Sequence, residues 1–125
     1  MELHHLAVVV SDLPRAEAFW VDVLGLRVVR RWDDGEGRHR STWVDLGGVF
    51  LALERAAAEG PKRVDGAPGF HCLALSIAPE LRDTWGARLA AAGHPLERET
   101  DFTFYVRDPD GNLVGFSHFP HPRAT

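Results

Sequence analysis

The 125-residue sequence is 45% apolar and carries a formal net charge of −4, enough for a real core in one domain or two closely packed half-domains. Its acidic balance gives no reason to expect nucleic acid or an anionic membrane as partner: the densest basic cluster, Arg27, Arg30 and Arg31, is followed at once by Asp33, Asp34 and Glu36. A single cysteine excludes an internal disulfide framework, and neither a targeting segment nor a membrane-length apolar run is present, so a soluble cytoplasmic protein is expected.

The first predicted strand covers Leu3 to Val10. Asp12 is suited to cap a helix and Pro14 to its first turn. Ala16, Phe19, Trp20, Val23 and Leu24 then recur at helical spacing until Gly25. Arg27 to Trp32 reads as a strand, and the polar, glycine-containing segment from Asp33 to Arg40 as a loop. Two more strands flank Gly47-Gly48, a strong hairpin signal. Glu54 to Pro68 reads as a linker in which Ala56-Ala57-Ala58 can form a short helical turn. The plan then repeats. Cys72 to Ile77 alternates, Pro79 opens a helix with Leu81, Trp85, Leu89 and Ala92 on its buried stripe, and Gly93 closes it. Pro95 to Glu99, Phe102 to Asp108 and Leu113 to Phe119 supply three further strands, leaving a tail from Pro120 with little to pack against.

The chain therefore says nearly the same thing twice, from His5 to Glu54 and from Phe70 to Ser117. Each copy leaves a hydrophobic face for the other to cover. The expected fold class is α+β: two tandem βαβββ modules, 3–54 and 69–119 of a single 1–125 domain, whose curved mixed sheets surround a cleft.

Strand alternation places Trp43, Asp45, Phe50, Ala52 and Glu54 on one face of the first copy. Tyr105, Arg107, Gly115 and Ser117 take the equivalent positions in the second, with Ala74 and Ser76 beside them. Aromatic walls with a few polar groups suit an organic ligand, planar or cationic given the mild acidity, although the same rings can simply fill a core or a subunit interface. His4 is expected to face away from His5. Cys72 reads as a small buried hydrophobe rather than a nucleophile. Asp45 or Glu54 can act as a base only in a desolvated cleft. Gly35-x-Gly37 lacks the frame of a dinucleotide site, Asp108-Pro109-Asp110-Gly111-Asn112 is a turn rather than a calcium loop, and His118-Phe119-Pro120-His121 can trap stray metal without being catalytic.

His5-x4-Val10-x-Asp12-Leu13-x2-Ala16-x2-Phe19-Trp20, then Val23-Leu24-Gly25-Leu26, and later Asp108-Pro109-Asp110-Gly111-Asn112, resemble the vicinal oxygen chelate superfamily over about residues 3 to 119. That group includes glyoxalase I, bleomycin-resistance and fosfomycin-resistance proteins and extradiol dioxygenases. The resemblance implies paired βαβββ modules and, commonly, a homodimer. It also implies metal-ligand positions on the first and last strand of each half, which fall here on His5, Ala52, Cys72 and Gly115. Two of these cannot coordinate through a side chain, and one imidazole with one thiol satisfies neither zinc nor magnesium. A register shift can recruit Glu54, or His71 in place of Cys72. No metal cofactor is therefore expected. The site candidates are His5, Trp43, Asp45, Phe50, Glu54, Cys72, Ser76, Tyr105, Arg107 and Ser117. The expected function is metal-independent binding of a small organic molecule, in the manner of bleomycin-resistance-type proteins. The alternatives are a lyase, isomerase or dioxygenase using a divalent metal, as glyoxalase I does, and a structural module whose cleft is filled by side chains.

Overall fold

The computed structural model describes residues 1–61 and 63–125. The chain divides into two compact units, Met1–Pro61 and Lys62–Thr125. The first runs β1 (His5–Val10), α1 (Leu13–Glu17), a π-helical turn (Ala18–Val23), β2 (Val28–Asp33), β3 (His39–Asp45) and β4 (Phe50–Arg55). The second runs β5 (Leu73–Ser76), a 3₁₀ turn (Pro79–Leu81), α2 (Arg82–Ala91), β6 (Arg98–Glu99), β7 (Thr103–Arg107) and β8 (Leu113–Ser117). The repeat legible in the sequence is thus a repeat of structure.

The sheet orders match as well: β1-β4-β3-β2 and β5-β8-β7-β6. In each, the first strand lies parallel to the last and the other pairings are antiparallel. The expectation of curved sheets around a cleft is overturned. Both sheets are open, each ending in two edge strands, and neither is closed or strongly curled. Closure requires many tilted strands with a consistent shear; four short strands, one of them only Arg98–Glu99, leave a twisted but open sheet.

The helix of the first unit begins where its cap predicts. Asp12 is extended, and its Oδ1 accepts the Arg15 N–H at 2.9 Å. The helix then widens: Leu24 N–H donates to the Phe19 carbonyl at 3.0 Å, a five-residue step that defines the π turn. Leu13, Ala16, Phe19, Trp20 and Leu24 are buried, as are Val10, Val44, Leu51 and Leu53, and α1 packs against β3 and β4. Glu17 ties helix to sheet by accepting from Thr42 Oγ1 at 3.0 Å and from the Arg31 guanidinium. One face of the first sheet is therefore occupied by the helix.

In the second unit the helical stripe differs from the expected one. Leu81 is 47% exposed and Arg82, at 3%, takes the buried place. The 3₁₀ turn explains this, because three residues per turn shift the phase of the α-helix that follows. Leu89 is buried and Trp85 stacks on Phe116, whose neighbour Phe104 is also buried. The Ala56-Ala57-Ala58 segment forms bends rather than a helical turn. The first strand begins at His5 rather than Leu3.

Candidate functional site

In the first sheet, alternation sends Leu51, Leu53 and Val44 toward the helix and His5, Phe50, Ala52, Glu54, Trp43 and Ser41 to the opposite face. On that second face the large rings meet in a continuous diagonal across all four strands. His5 on β1 stacks on Phe50 of β4, with centroids 4.8 Å apart and planes 5° from parallel. Phe50 stacks on Trp43 of β3 at 4.3 Å and 20°. Trp43 meets Trp32 of β2 at 5.2 Å and 57°. The Arg30 guanidinium closes the row, 3.6 Å from the Trp32 ring centroid. His5 and Phe50 are directly opposed in the register, whereas the next two contacts follow the diagonal that only long side chains can span. Each pair contributes about 0.5–1.5 kcal/mol beyond simple burial, so the row is a rigid platform.

Three of the residues anticipated from sequence, His5, Phe50 and Trp43, therefore come together. Trp32 and Arg30 were not anticipated, for a specific reason. Val28 pairs with Val44 but Arg30 pairs with Trp43, so a bulge at Val29 reverses the facing of everything beyond it. Simple alternation from Val28 points Trp32 at the helix; only the register reveals it on the platform. His4 also departs from expectation. It precedes β1 and escapes the pleat, so its Nδ1 lies 2.8 Å from His5 Nδ1 and its ring stands edge-on to Phe50 at 5.5 Å.

The carboxylates of this face are engaged. Glu54 Oε1 accepts from Ser41 Oγ at 3.0 Å. Asp45 turns back on its own hairpin, where Oδ1 accepts from Gly47 N–H at 3.0 Å and Gly48 N–H at 3.4 Å, and Arg27 reaches Oδ2 at 3.4 Å. Those backbone donors, aided by Arg27, hold the Asp45 carboxyl below its ordinary range. The turn itself needs two glycines, since Gly47 and Gly48 have φ of 86° and 104°.

In the second sheet, Phe116, Val114, Phe104 and Val106 face α2, and Tyr105, Arg107, Gly115, Ser117 and Ser76 share the opposite face. Tyr105 lies across Gly115: a Cβ there would stand 3.1 Å from Tyr105 Cε1 and 3.3 Å from both Ala74 Cβ and Thr103 Cγ2. The Arg98 guanidinium covers Tyr105 at 4.8 Å and also donates to His71 Nε2 at 2.8 Å. Ser117 Oγ accepts from Thr103 Oγ1 at 2.8 Å. Arg107 is committed to structure, clamped by Glu97 at 2.6 Å, by Asp65 at 2.6 Å and by the Gly111 carbonyl at 3.1 Å. Its guanidinium holds the Asp65 carboxyl low. Cys72 lies just before β5 and is exposed rather than buried.

The four ligand positions implied by the family resemblance do not fit a divalent ion. Ala52 offers no donor, and Gly115 is closed over by Tyr105. Of the proposed substitutes, Glu54 is hydrogen-bonded by Ser41 and His71 by Arg98. Among the described residues, no group of three or more His, Cys, Asp or Glu side chains is placed to hold a metal ion. His118, in the carboxy-terminal histidine pair, has both ring nitrogens occupied: Nδ1 donates to the His121 carbonyl at 2.7 Å and Nε2 accepts from Arg82 at 2.9 Å. No helix among the described residues is long and apolar enough to cross a membrane.

Two successive strand–helix–three-strand units, each with a helix on one sheet face and a mixed aromatic and polar opposite face, define a paired βαβββ protein. The family model described as Glyoxalase/Bleomycin resistance protein/Dioxygenase superfamily matches residues 2–116, and the chain belongs to that superfamily of small-molecule-binding proteins. It is 28% identical over 118 residues to the glutathione transferase FosA of Serratia marcescens, covering 90% of this chain and 77% of that protein. It is also 28% identical over 122 residues to a probable lactoylglutathione lyase of Synechocystis, covering 91% and 92% respectively. A glyoxalase family protein from Enterococcus faecalis superposes with a TM-score of 0.77 at 26% identity, covering 94% of this chain and 97% of that one.

Proposed function

We propose that the protein binds a flat organic molecule on the aromatic row of its first sheet, with the outward edges of His5, Phe50 and Trp43 as the contact surface and without a protein-bound metal. The observation that carries this reading is the uninterrupted stack from His5 to Arg30 on the sheet face opposite α1. Rings held in register by neighbouring strands present a low-entropy surface on which a planar ligand gains edge-to-face aromatic contact and apolar burial at once. Glu54, on the same face of the first sheet, keeps its hydrogen bond from Ser41. Asp45 and Arg107 keep their structural partners.

A metal-dependent lyase, isomerase or dioxygenase is the second reading, and the names of the lactoylglutathione lyase relatives favour it. That chemistry requires a Lewis acid beside the substrate oxygens, and the donor set at His5, Ala52, Cys72 and Gly115 does not supply a coordination sphere for one. A homodimer is part of the proposal, in keeping with the open sheet edges.

The test is fluorescence titration of tag-free, chelator-treated protein with 2-naphthalenemethanol, alongside metal analysis of the untreated sample. Saturable binding that survives chelation and weakens about tenfold or more in Trp43→Ala is expected, the loss corresponding to about 1–3 kcal/mol of aromatic contact. Binding that disappears on chelation and returns with a divalent ion would overturn the metal-free reading.

A further inference from the structure

The polar groups left over toward the Arg30 end of the aromatic row are donors. The Arg30 guanidinium rests on Trp32 and makes no ion pair among the described residues. The indole N–H groups of Trp32 and Trp43 are shut off from solvent and have no acceptor among the described residues. Each such unmet donor carries a penalty of about 1–3 kcal/mol that an oxygen acceptor reaching between the rings would recover. The carboxylates of the same face have donors of their own: Glu54 receives the Ser41 hydroxyl, and Asp45 receives its own turn and Arg27. A free guanidinium stacked on an indole at one end, and unmet N–H groups within the row, constitute a surface complementary to negative charge despite the chain's net charge of −4.

The geometry points to a ligand that is a planar aromatic bearing a carboxylate or similar anionic oxygen group, its ring over the outward edges of Phe50 and Trp43 and its anion against Arg30. This rests on the reading of the row as the binding surface and goes further by assigning the ligand's charge. It keeps the planar ligand expected from the sequence and replaces the cationic alternative with an anionic one. Position decides here: Arg30 lies on β2, two strands from Glu54 on β4, and its unpaired guanidinium over an aromatic face retains its full donor fork.

The experiment compares three probes with one ring system, 2-naphthoate, 2-naphthalenemethanol and 2-naphthylmethylammonium, by calorimetric titration of the full chain and of Arg30→Met. In Arg30→Met the methionine keeps apolar contact with Trp32 but removes the charge. The expected result is naphthoate binding about tenfold tighter than the ammonium, the difference contracting to about threefold or less in Arg30→Met, as loss of one partly exposed charge-assisted contact implies. Equal affinity for all three probes, tighter binding of the ammonium, or an undiminished preference in Arg30→Met would each overturn the charge assignment while leaving the binding surface intact. Failure of all three to bind would overturn both the surface and the charge assigned to its ligand.

Discussion

Replacing His118 by leucine should destabilise the second unit more than its single imidazole suggests. Arg82 is 3% exposed, and its guanidinium is held by three acceptors: His118 Nε2 at 2.9 Å, Glu99 Oε2 at 2.8 Å and the Thr100 carbonyl at 3.2 Å. Leucine fills most of the space of the imidazole but withdraws one acceptor from a buried charge and leaves the His121 carbonyl without its donor. A hydrogen bond to a charged group is worth about 1.5–3 kcal/mol, and an orphaned buried partner adds to that. The expected loss is about 2–4 kcal/mol, which for a chain of this size lowers the melting midpoint by roughly 8–15 °C. Arg82→Met should cost less than the sum of the parts, because Glu99 is half-exposed and water can satisfy it. A double-mutant cycle in urea, followed by circular dichroism, should therefore give a coupling of about 1.5–3 kcal/mol between the two positions. A His118→Leu variant within about 0.5 kcal/mol of the parent, or a coupling near zero, would refute the argument that the imidazole neutralises the cost of burying Arg82.

Further outcomes follow from the packing. Gly115→Ala should cost about 1–3 kcal/mol by thermal melting, since its Cβ must displace Tyr105, Ala74 or Thr103; Gly115→Glu should lose more and still retain no zinc after dialysis. Glu17 contributes to acid stability: burial pushes its carboxyl up, but the Arg31 and Thr42 hydrogen bonds, with the charges of Arg31 and His39, outweigh that and leave it below its ordinary value of 4.5. A lowered folded pKa means stability that is fully present above pH 4.5 and lost as pH falls through the folded value. Denaturation midpoints of the parent should accordingly fall faster below pH 4.5 than those of Glu17→Gln, and parallel curves would contradict this assignment.

Much of the architecture was legible because local chemistry and global fold agree. Asp12, Gly47-Gly48 and the Asp108 turn, where Oδ1 accepts from the Asp110 and Asn112 N–H groups at 3.0 and 2.7 Å, all act where the sequence puts them. Alternation grouped His5, Phe50 and Trp43 correctly, since β1, β3 and β4 pair without a slip from His5 to Arg55. It failed at β2, where the bulge at Val29 turns Arg30 and Trp32 onto the platform. It failed at His4, which lies outside the pleat, and at Leu81, where a 3₁₀ turn resets the helix phase. Sheet curvature was not legible at all, being a property of strand number and pairing rather than of any local pattern. Residue identity alone exposed the missing donors at Ala52 and Gly115, but only packing revealed that Tyr105 fills the space above the glycine.

The binding surface is most directly tested by the four indole N–H signals of ¹⁵N-labelled protein, assigned by single Trp→Phe variants and followed during titration with 2-naphthoate. Trp32 and Trp43 lie on the proposed platform, whereas Trp20 is buried among the residues packed with α1 and Trp85 stacks on Phe116 beneath α2. Saturable shifts of the Trp32 and Trp43 signals, with Trp20 and Trp85 unmoved, are the predicted result. Shifts confined to Trp20 or Trp85, or a bound probe that moves neither platform indole, would place the ligand elsewhere and contradict the account.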